Sequence, residues 1–236
     1  MASEQLEEYL EAIYDIGERD GTAKTSSIAK CLNVAPASVT EALRNLSEKG
    51  YVNYEPYRGA TLTGLGKEMA VRIKRRHRLL EVFLRDVLKI EDDHVHDEAC
   101  RMEHTLSDET ECALCKMLKA PSRCPHGSLI QPCNREVDDC TGCFTGEQEP
   151  SEMRDEPLVS VSDLMEGQGG RIAFIRGDKK VVQRLSDLGL TVKTAISLVR
   201  KAPLEGPVEI AVRRTKLAID RAIADNIFVS QAAEKA

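Results

Sequence analysis

The stretch TSSIAKCLNVAPASVTEALRNLSEKGYVNYEPYRGATLTGLGK, residues 25–67, leaves the fewest options for folding. Ile28, Ala29 and Leu32 recur at helical spacing, and Thr25 or Ser26 stands where a helix cap belongs. Asn33-Val34-Ala35 makes the turn, and Pro36 favours the first position of a new helix. Val39, Ala42, Leu43 and Leu46 form the next apolar face, and Gly50 ends it. Two short helices joined this tightly make a helix-turn-helix, whose second helix commonly enters the major groove. Tyr51–Tyr54 and Ala60–Thr63 then read as two strands around the tip Glu55-Pro56-Tyr57-Arg58-Gly59, which is a wing.

The outward positions of the second helix are Ser38, Thr40, Glu41, Arg44, Asn45 and Glu48. Small hydroxyls near its start can approach bases or phosphates, and Arg44 and Arg58 can pair with phosphate. Glu41 opposes phosphate unless it accepts from a cytosine amine. Cys31, within the first helix of the pair, reads as core.

Before this segment, Leu6, Tyr9, Leu10, Ile13 and Ile16 predict an amphipathic opening helix. After it, helices are expected over about 66–88, 94–106 and 109–118, followed by a cysteine-rich loop to about Phe144. A Pro- and Glu-rich run, GEQEPSEMRDEP, reads as a linker. Strand chemistry then takes over: residues 171–175, 194–199 and 208–213 alternate and are β-branched, with a short helix near Val181–Leu188. The expected fold is mainly α with small β parts. Residues 1–66 would be a winged helix-turn-helix, 67–144 a helical metal-binding and dimerisation domain, 145–157 a linker, and 158–231 an SH3-like β-barrel.

At 236 residues with no apolar run of membrane-spanning length and no secretory pattern, the chain is expected to stay in the cytoplasm. Eight cysteines without an export signal argue for metal ligation rather than disulfides. The net charge of −6 speaks against nucleic acid, but nine Lys/Arg face three acids between Arg58 and Lys89. Such a locally basic segment can still meet phosphates, although a solvated helix face has the same composition.

The segment VHDEACRMEH places His96, Cys100, Glu103 and His104 within roughly a 100° arc of one helix. His77 and Glu81, at i and i+4, share a face of the preceding helix, and Glu8 and Glu11 offer oxygens on the first. Imidazole, thiolate and carboxylate together suit a borderline divalent transition ion better than Mg(II) or Ca(II). No positioned base beside an open substrate site is visible, so an enzyme is not expected.

The motifs YLEAIYDI, PASVT, YRGATLTGLGK, RHRLLEVFL and VHDEACRMEHTLSDE make residues 1–125 resemble the diphtheria-toxin-repressor family, with its iron (DtxR/IdeR) and manganese (MntR) branches. The last domain resembles the FeoA-like SH3 domains of iron regulators and transporters, through LSDLGLTV and APLEGPVEIAVRRTKLAIDRAIADNI. The resemblance implies a homodimeric repressor that binds a palindromic DNA operator when loaded with Fe(II) or Mn(II) and controls metal-uptake genes. It implies a regulatory site of Glu8, Cys100, Glu103 and His104 and an ancillary site of His77, Glu81 and His96. It places reader contacts at Pro36, Ala37, Ser38 and Thr40, with Thr25, Ser26 and Arg58 as helpers. An acid at Glu8 looks like the manganese branch and Cys100 like the iron branch; the soft thiolate favours Fe(II).

Cys112-x-x-Cys115 and Cys140-x-x-Cys143 have chelate spacing, with Cys124 and Cys133 between them. A four-thiolate site for structural Zn or an iron–sulfur cluster is expected there. The most economical set is Cys124, Cys133, Cys140 and Cys143, leaving Cys112 and Cys115 open. Two rival functions remain at this point: a winged-helix regulator sensing redox state through an iron–sulfur cluster, and an iron-transport accessory that does not bind DNA.

Overall fold

The computed structural model describes residues 4–141, 143, 154, 158–204 and 206–231; the expected linker, apart from Arg154, lies outside the described residues. The chain forms two compact units, Met1–Ser107 and Asp108–Ala236. The winged helix and the expected metal-bearing helices therefore share one unit, while the cysteine loop belongs with the barrel.

In the first unit, α1 (Glu4–Asp20) buries Leu6, Tyr9, Leu10, Ala12, Ile13 and Ile16. Helix α2 (Thr25–Leu32) starts on Lys24, which makes no side-chain cap, so neither Thr25 nor Ser26 serves as one. Asn33 closes it in the left-handed region at φ 52°, its amide bonded to the Ala29 carbonyl. Helix α3 (Pro36–Glu48) begins on its proline and sends Val39, Leu43 and Leu46 inward. These side chains and the α1 stripe make one core with Ile28, Ala29, Val52 and Ala60. Cys31, expected in that core, is exposed. It sits roughly 100° around the helix from the face that Ile28, Ala29 and Leu32 share.

The wing is the antiparallel pair β1 (Val52–Glu55) and β2 (Gly59–Leu62), in register from Val52↔Leu62 to Glu55↔Gly59. Ala23 and Ala60 exchange two backbone hydrogen bonds, both 2.9 Å, which fasten the wing to the segment before α2. Gly59 makes that approach possible: its φ is +112°, and a Cβ there would stand 2.6 Å from the Ala23 carbonyl oxygen. Thr63 joins the wing to α4 (Gly64–Val82). Its hydroxyl accepts from the Gly66 amide at 3.1 Å and donates to the Gly50 carbonyl at 2.7 Å.

The single helix expected over about 66–88 is α4 followed by one π-helical turn, Phe83–Val87, with the Leu88 amide on the Phe83 carbonyl. Helix α5 (Asp92–Glu103) packs back on α4, and α4 packs on α1. The basic run between Arg58 and Lys89 is not a uniformly solvated face. Arg75 and Arg76 are buried, and the Lys74 ammonium reaches Asp15 at 2.8 Å.

In the second unit, α6 (Asp108–Met117) is followed by residues 118–141, which carry isolated bridges but no strand among the described residues. The remainder is a six-stranded antiparallel sheet in the order β3-β8-β4-β5-β6-β7. Its strands are β3 (Val159–Ser160), β4 (Gly169–Ile175), β5 (Ala195–Lys201), β6 (Val208–Val212), β7 (Thr215–Ile219) and β8 (Ile227–Ser230). Helix α7 (Lys179–Asp187), capped by the Asp178 carboxylate, and the one-turn α8 (Arg221–Ala224) complete it. Alternation turns Val208, Ile210 and Val212 inward against Ile172, Ile175, Ile196, Leu198 and Val229.

Candidate metal centre and DNA-reading surface

Apart from Glu8, the donors expected on two separate sites form one continuous cluster on α4 and α5, met from α1 by Glu7 and Glu11. His77 stands at its centre because its position on α4 faces α5, and the i, i+4 spacing puts Glu81 above it and Cys100 over His96. His77 Nδ1 lies 2.6 Å from Glu103 Oε2, and its Nε2 lies 3.0 Å from Glu81 Oε1 and 3.1 Å from His96 Nδ1. The Cys100 sulfur is 3.8 Å from His77 Nδ1 and 3.7 Å from His96 Nε2. His104 Nδ1 lies 2.8 Å from Glu7 Oε2, and its Nε2 lies 3.4 Å from the second Glu103 oxygen. Glu103 thus connects the pair expected as regulatory to the residue expected as ancillary.

The first helix contributes differently from expectation. Glu8 is exposed, whereas Glu7 is partly buried and holds His104. Glu11 also faces the cluster. Burial first, then the Glu103 charge, raises its carboxyl to about 7, against the opposing pull of Lys74, His77 and His104. Glu7 and Glu11 are i and i+4 beside the buried stripe at Leu10, while Glu8 is a further 100° round. That phase relation was the signal available for Glu7, and the opening-helix stripe already contained it.

The electrostatics are those of a site built for a cation. Glu81 and Glu103 are each only 2% exposed. Burial pulls the His77 imidazolium down, but hydrogen bonds to Cys100, Glu103 and Glu81 and the Glu103 charge outweigh it and hold its pKa at about 12. The proton on His77 supplies the positive charge that two buried carboxylates require. The donor set fits a divalent transition ion: one atom each from His77, His96 and Cys100 lies within 4.8 Å of the others, with carboxylate oxygens adjoining.

On the reading surface, Pro36, Ala37 and Ser38 are exposed at the start of α3, with Arg44 exposed one to two turns later. Thr40 is half-buried and donates to the Pro36 carbonyl at 3.0 Å, so its hydroxyl is engaged within the helix. Ser26 is exposed and Thr25 half-buried at the start of α2. At the wing tip, Arg58 meets Glu55 at 3.0 Å with both side chains largely exposed, a pairing weak enough for phosphate to displace.

Residues 1–60 match the iron dependent repressor N-terminal DNA binding domain, and 63–132 match the iron dependent repressor metal binding and dimerisation domain. Residues 159–231 match the FeoA domain. The diphtheria toxin repressor of Corynebacterium glutamicum is 30% identical over 195 residues, covering 83% of each chain. The chain belongs to the iron-dependent repressor family. The repressor is also 40% identical over 107 residues to the HTH-type transcriptional regulator MntR of Oceanobacillus iheyensis, covering 45% of this chain and 72% of that one. A solved manganese-dependent transcriptional repressor in complex with manganese matches with a TM-score of 0.51 at 25% identity, over 96% of this chain and 99% of that one. The metal-dependent regulator MtsR matches with a TM-score of 0.52 at 26% identity, over 96% and 98%. The family is one of DNA-binding, metal-dependent transcriptional regulators, in accord with the winged helix and helical donor cluster built above.

Proposed function

We propose that this repressor binds a palindromic DNA operator as a homodimer when loaded with Fe(II) or Mn(II), and so controls metal uptake. The observation that carries this reading is the donor cluster spanning α1, α4 and α5. The inner face of α1 packs into the same core as Val39, Leu43 and Leu46 of the reading helix α3, while Glu7 and Glu11 on its other edge face the cluster. A restraint on α1 is therefore a restraint on α3.

Cys100, Glu103 and His104 with an α1 carboxylate would form the regulatory site, and His77, Glu81 and His96 the ancillary one. Among the α1 acids, contact favours Glu7 and charge favours Glu11; family likeness favours Glu8. A bound divalent ion would supply the positive charge that the His77 proton supplies in its absence. The residues do the rest. His77 would then release its hydrogen bonds to Glu103 and Glu81, His104 would be freed from Glu7, and the buried carboxylates would hold the ion in place of the imidazolium. Two reader helices on a two-fold dimer must sit about one DNA turn apart, roughly 34 Å. Fixing α1 against α4 and α5 selects the arrangement in which they do.

Ser38, Arg44 and Arg58, with Ser26, Thr25, Pro36, Ala37 and Thr40 about them, would form the contact surface. The softer thiolate of Cys100 favours Fe(II) over Mn(II) at the regulatory site. The test is anaerobic: binding of a duplex selected by the metal-loaded protein is titrated with Fe(II) and with Mn(II), and mass in solution is followed by light scattering. Metal-dependent binding of two protomers per duplex is expected; equal binding in chelator would reject the reading.

A further inference from the structure

Cys133 and Cys140 of the second unit lie about one small apolar cluster with Ala120, and helix α6 brings two further cysteines towards it. Helix α6 presents Cys112 and Cys115, at i and i+3, on one face. Its last turn ends with the Ala120 amide on the Cys115 carbonyl at 2.9 Å, and Ala120 packs in the same apolar cluster as Cys133, Cys140, Phe174 and Phe228. The sulfur-bearing end of α6 and the Cys133–Cys140 stretch are thereby side by side. Arg154 fixes that stretch from behind, donating to the Cys133 and Val137 carbonyls while lying over the Phe174 ring at 5.3 Å. After burial, the neighbours that push the Cys143 thiol up are Cys133, Cys112 and Cys115, with Lys116 opposing.

Cys140 also neighbours Cys115 and Cys133, which add to the burial that pushes its thiol up, but it sits within the apolar cluster itself. It is 9% exposed, packed with Val137 and the two phenylalanine rings, and its sulfur accepts the Gly177 backbone N–H. Cys124 is buried elsewhere, inside a tight turn in which its amide bonds the Ser128 carbonyl and its carbonyl the Gly127 amide, both at 2.9 Å. The expected set of Cys124, Cys133, Cys140 and Cys143 does not match this placement.

We propose that Cys112, Cys115, Cys133 and Cys143 form a second, four-thiolate metal centre, distinct from the helical donor cluster, holding tetrahedral Zn(II) or an iron–sulfur cluster. Four thiolates are the donor set that both centres take, and the spacing of Cys112 and Cys115 is that of a chelating pair. The centre also accounts for residues 118–141. A stretch of that length with no strand of its own is uncommon within a compact unit and needs some other fastening. Part of that fastening is the small Val137, Cys140, Phe174 and Phe228 cluster, together with buried Ile130 and the Arg176 guanidinium on the Ser122 and Ile130 carbonyls. Thiolates converging from α6 and from both later parts of the loop would clamp it at its two ends, with the carboxyl-terminal barrel as support.

The test uses full-length protein purified without oxygen, in a Cys100→Ser background so that the helical cluster offers no thiolate. Tightly held metal, acid-labile sulfide and the visible charge-transfer band are measured together. One zinc per protomer without sulfide, or iron and sulfide in equal amounts with a visible band, each supports the proposal and identifies the occupant. Absence of any tightly held metal overturns it. Cys112→Ser and Cys133→Ser should abolish the bound metal, while Cys124→Ser and Cys140→Ser should keep it. Loss in either of the last two, or retention in the first two, overturns the assignment. Should a variant fail to fold, alkylation of the unmutated chain decides. Cys31, which is exposed, should react at once, and the four proposed ligands only after chelation or denaturation. Reaction of the four at the rate of Cys31 overturns the proposal.

Discussion

His77 makes more contacts within the donor cluster than its neighbours do. It touches Glu81, Glu103, His96 and Cys100, so no metal occupancy of either half of the cluster leaves it unmoved. His77→Ala should leave a folded protein that takes up Fe(II) or Mn(II) at least tenfold more weakly, about 1.4 kcal/mol, measured by anaerobic calorimetry. The α1 acids are separable by the same measurement. Glu7→Ala and Glu11→Ala should weaken binding if the contacts seen here persist on loading. Loss in Glu8→Ala alone would show that α1 rotates. A glycine gives a test of the scaffold. A Cβ at Gly66 would stand 1.9 Å from the Tyr51 carbonyl oxygen, backbone that cannot swing away. Gly66→Ala should lower the stability of the first unit by about 1–3 kcal/mol in urea melts, or prevent folding.

Among the elements, α3 and the wing were readable because turn chemistry and apolar period agreed there: Pro36 starts the helix, Asn33 stops its predecessor, and Gly59 permits the wing. Strand β7 escaped because Thr215–Ile219 buries only Ile219, and β8 because Ile227–Ser230 is short and the IFVS run is apolar almost throughout rather than alternating. The π turn after α4 has no side-chain signature that hydrophobic spacing could reveal. In the cluster, the residue types and the α5 arc were legible, but a merger of two sites through His77 and Glu103 depends on the α4–α5 packing distance, which periodicity does not carry. Cys31 shows the same limit in reverse, since a helical position is buried only if its azimuth faces the core. Arg44, exposed on α3, should act through phosphate. Arg44→Ala is expected to weaken DNA binding across sequences and reduce the salt slope by about 1.

For the whole molecule, the division at Ser107/Asp108 matters more than the functional boundaries, because each unit has its own buried core. Two calorimetric transitions are expected rather than one. Leu43→Ala should lower only the transition of the first unit and Ile210→Ala only that of the second, each by roughly 2–5 kcal/mol. Both side chains are fully buried in their respective cores. No helix among the described residues is long and apolar enough to cross a membrane.

On the proposed reading α1, α4 and α5 share a metal whose capture sets DNA affinity, a coupling expected to fall in the range of about 1–3 kcal/mol. Fluorescence anisotropy of a selected duplex, with and without Fe(II) or Mn(II), tests it directly when the unmutated chain and His77→Ala are compared at one salt concentration. Metal-tightened binding is expected in the former and the same weak affinity with or without metal in the latter, with its fold intact by circular dichroism. Undiminished tightening by metal in His77→Ala would contradict it.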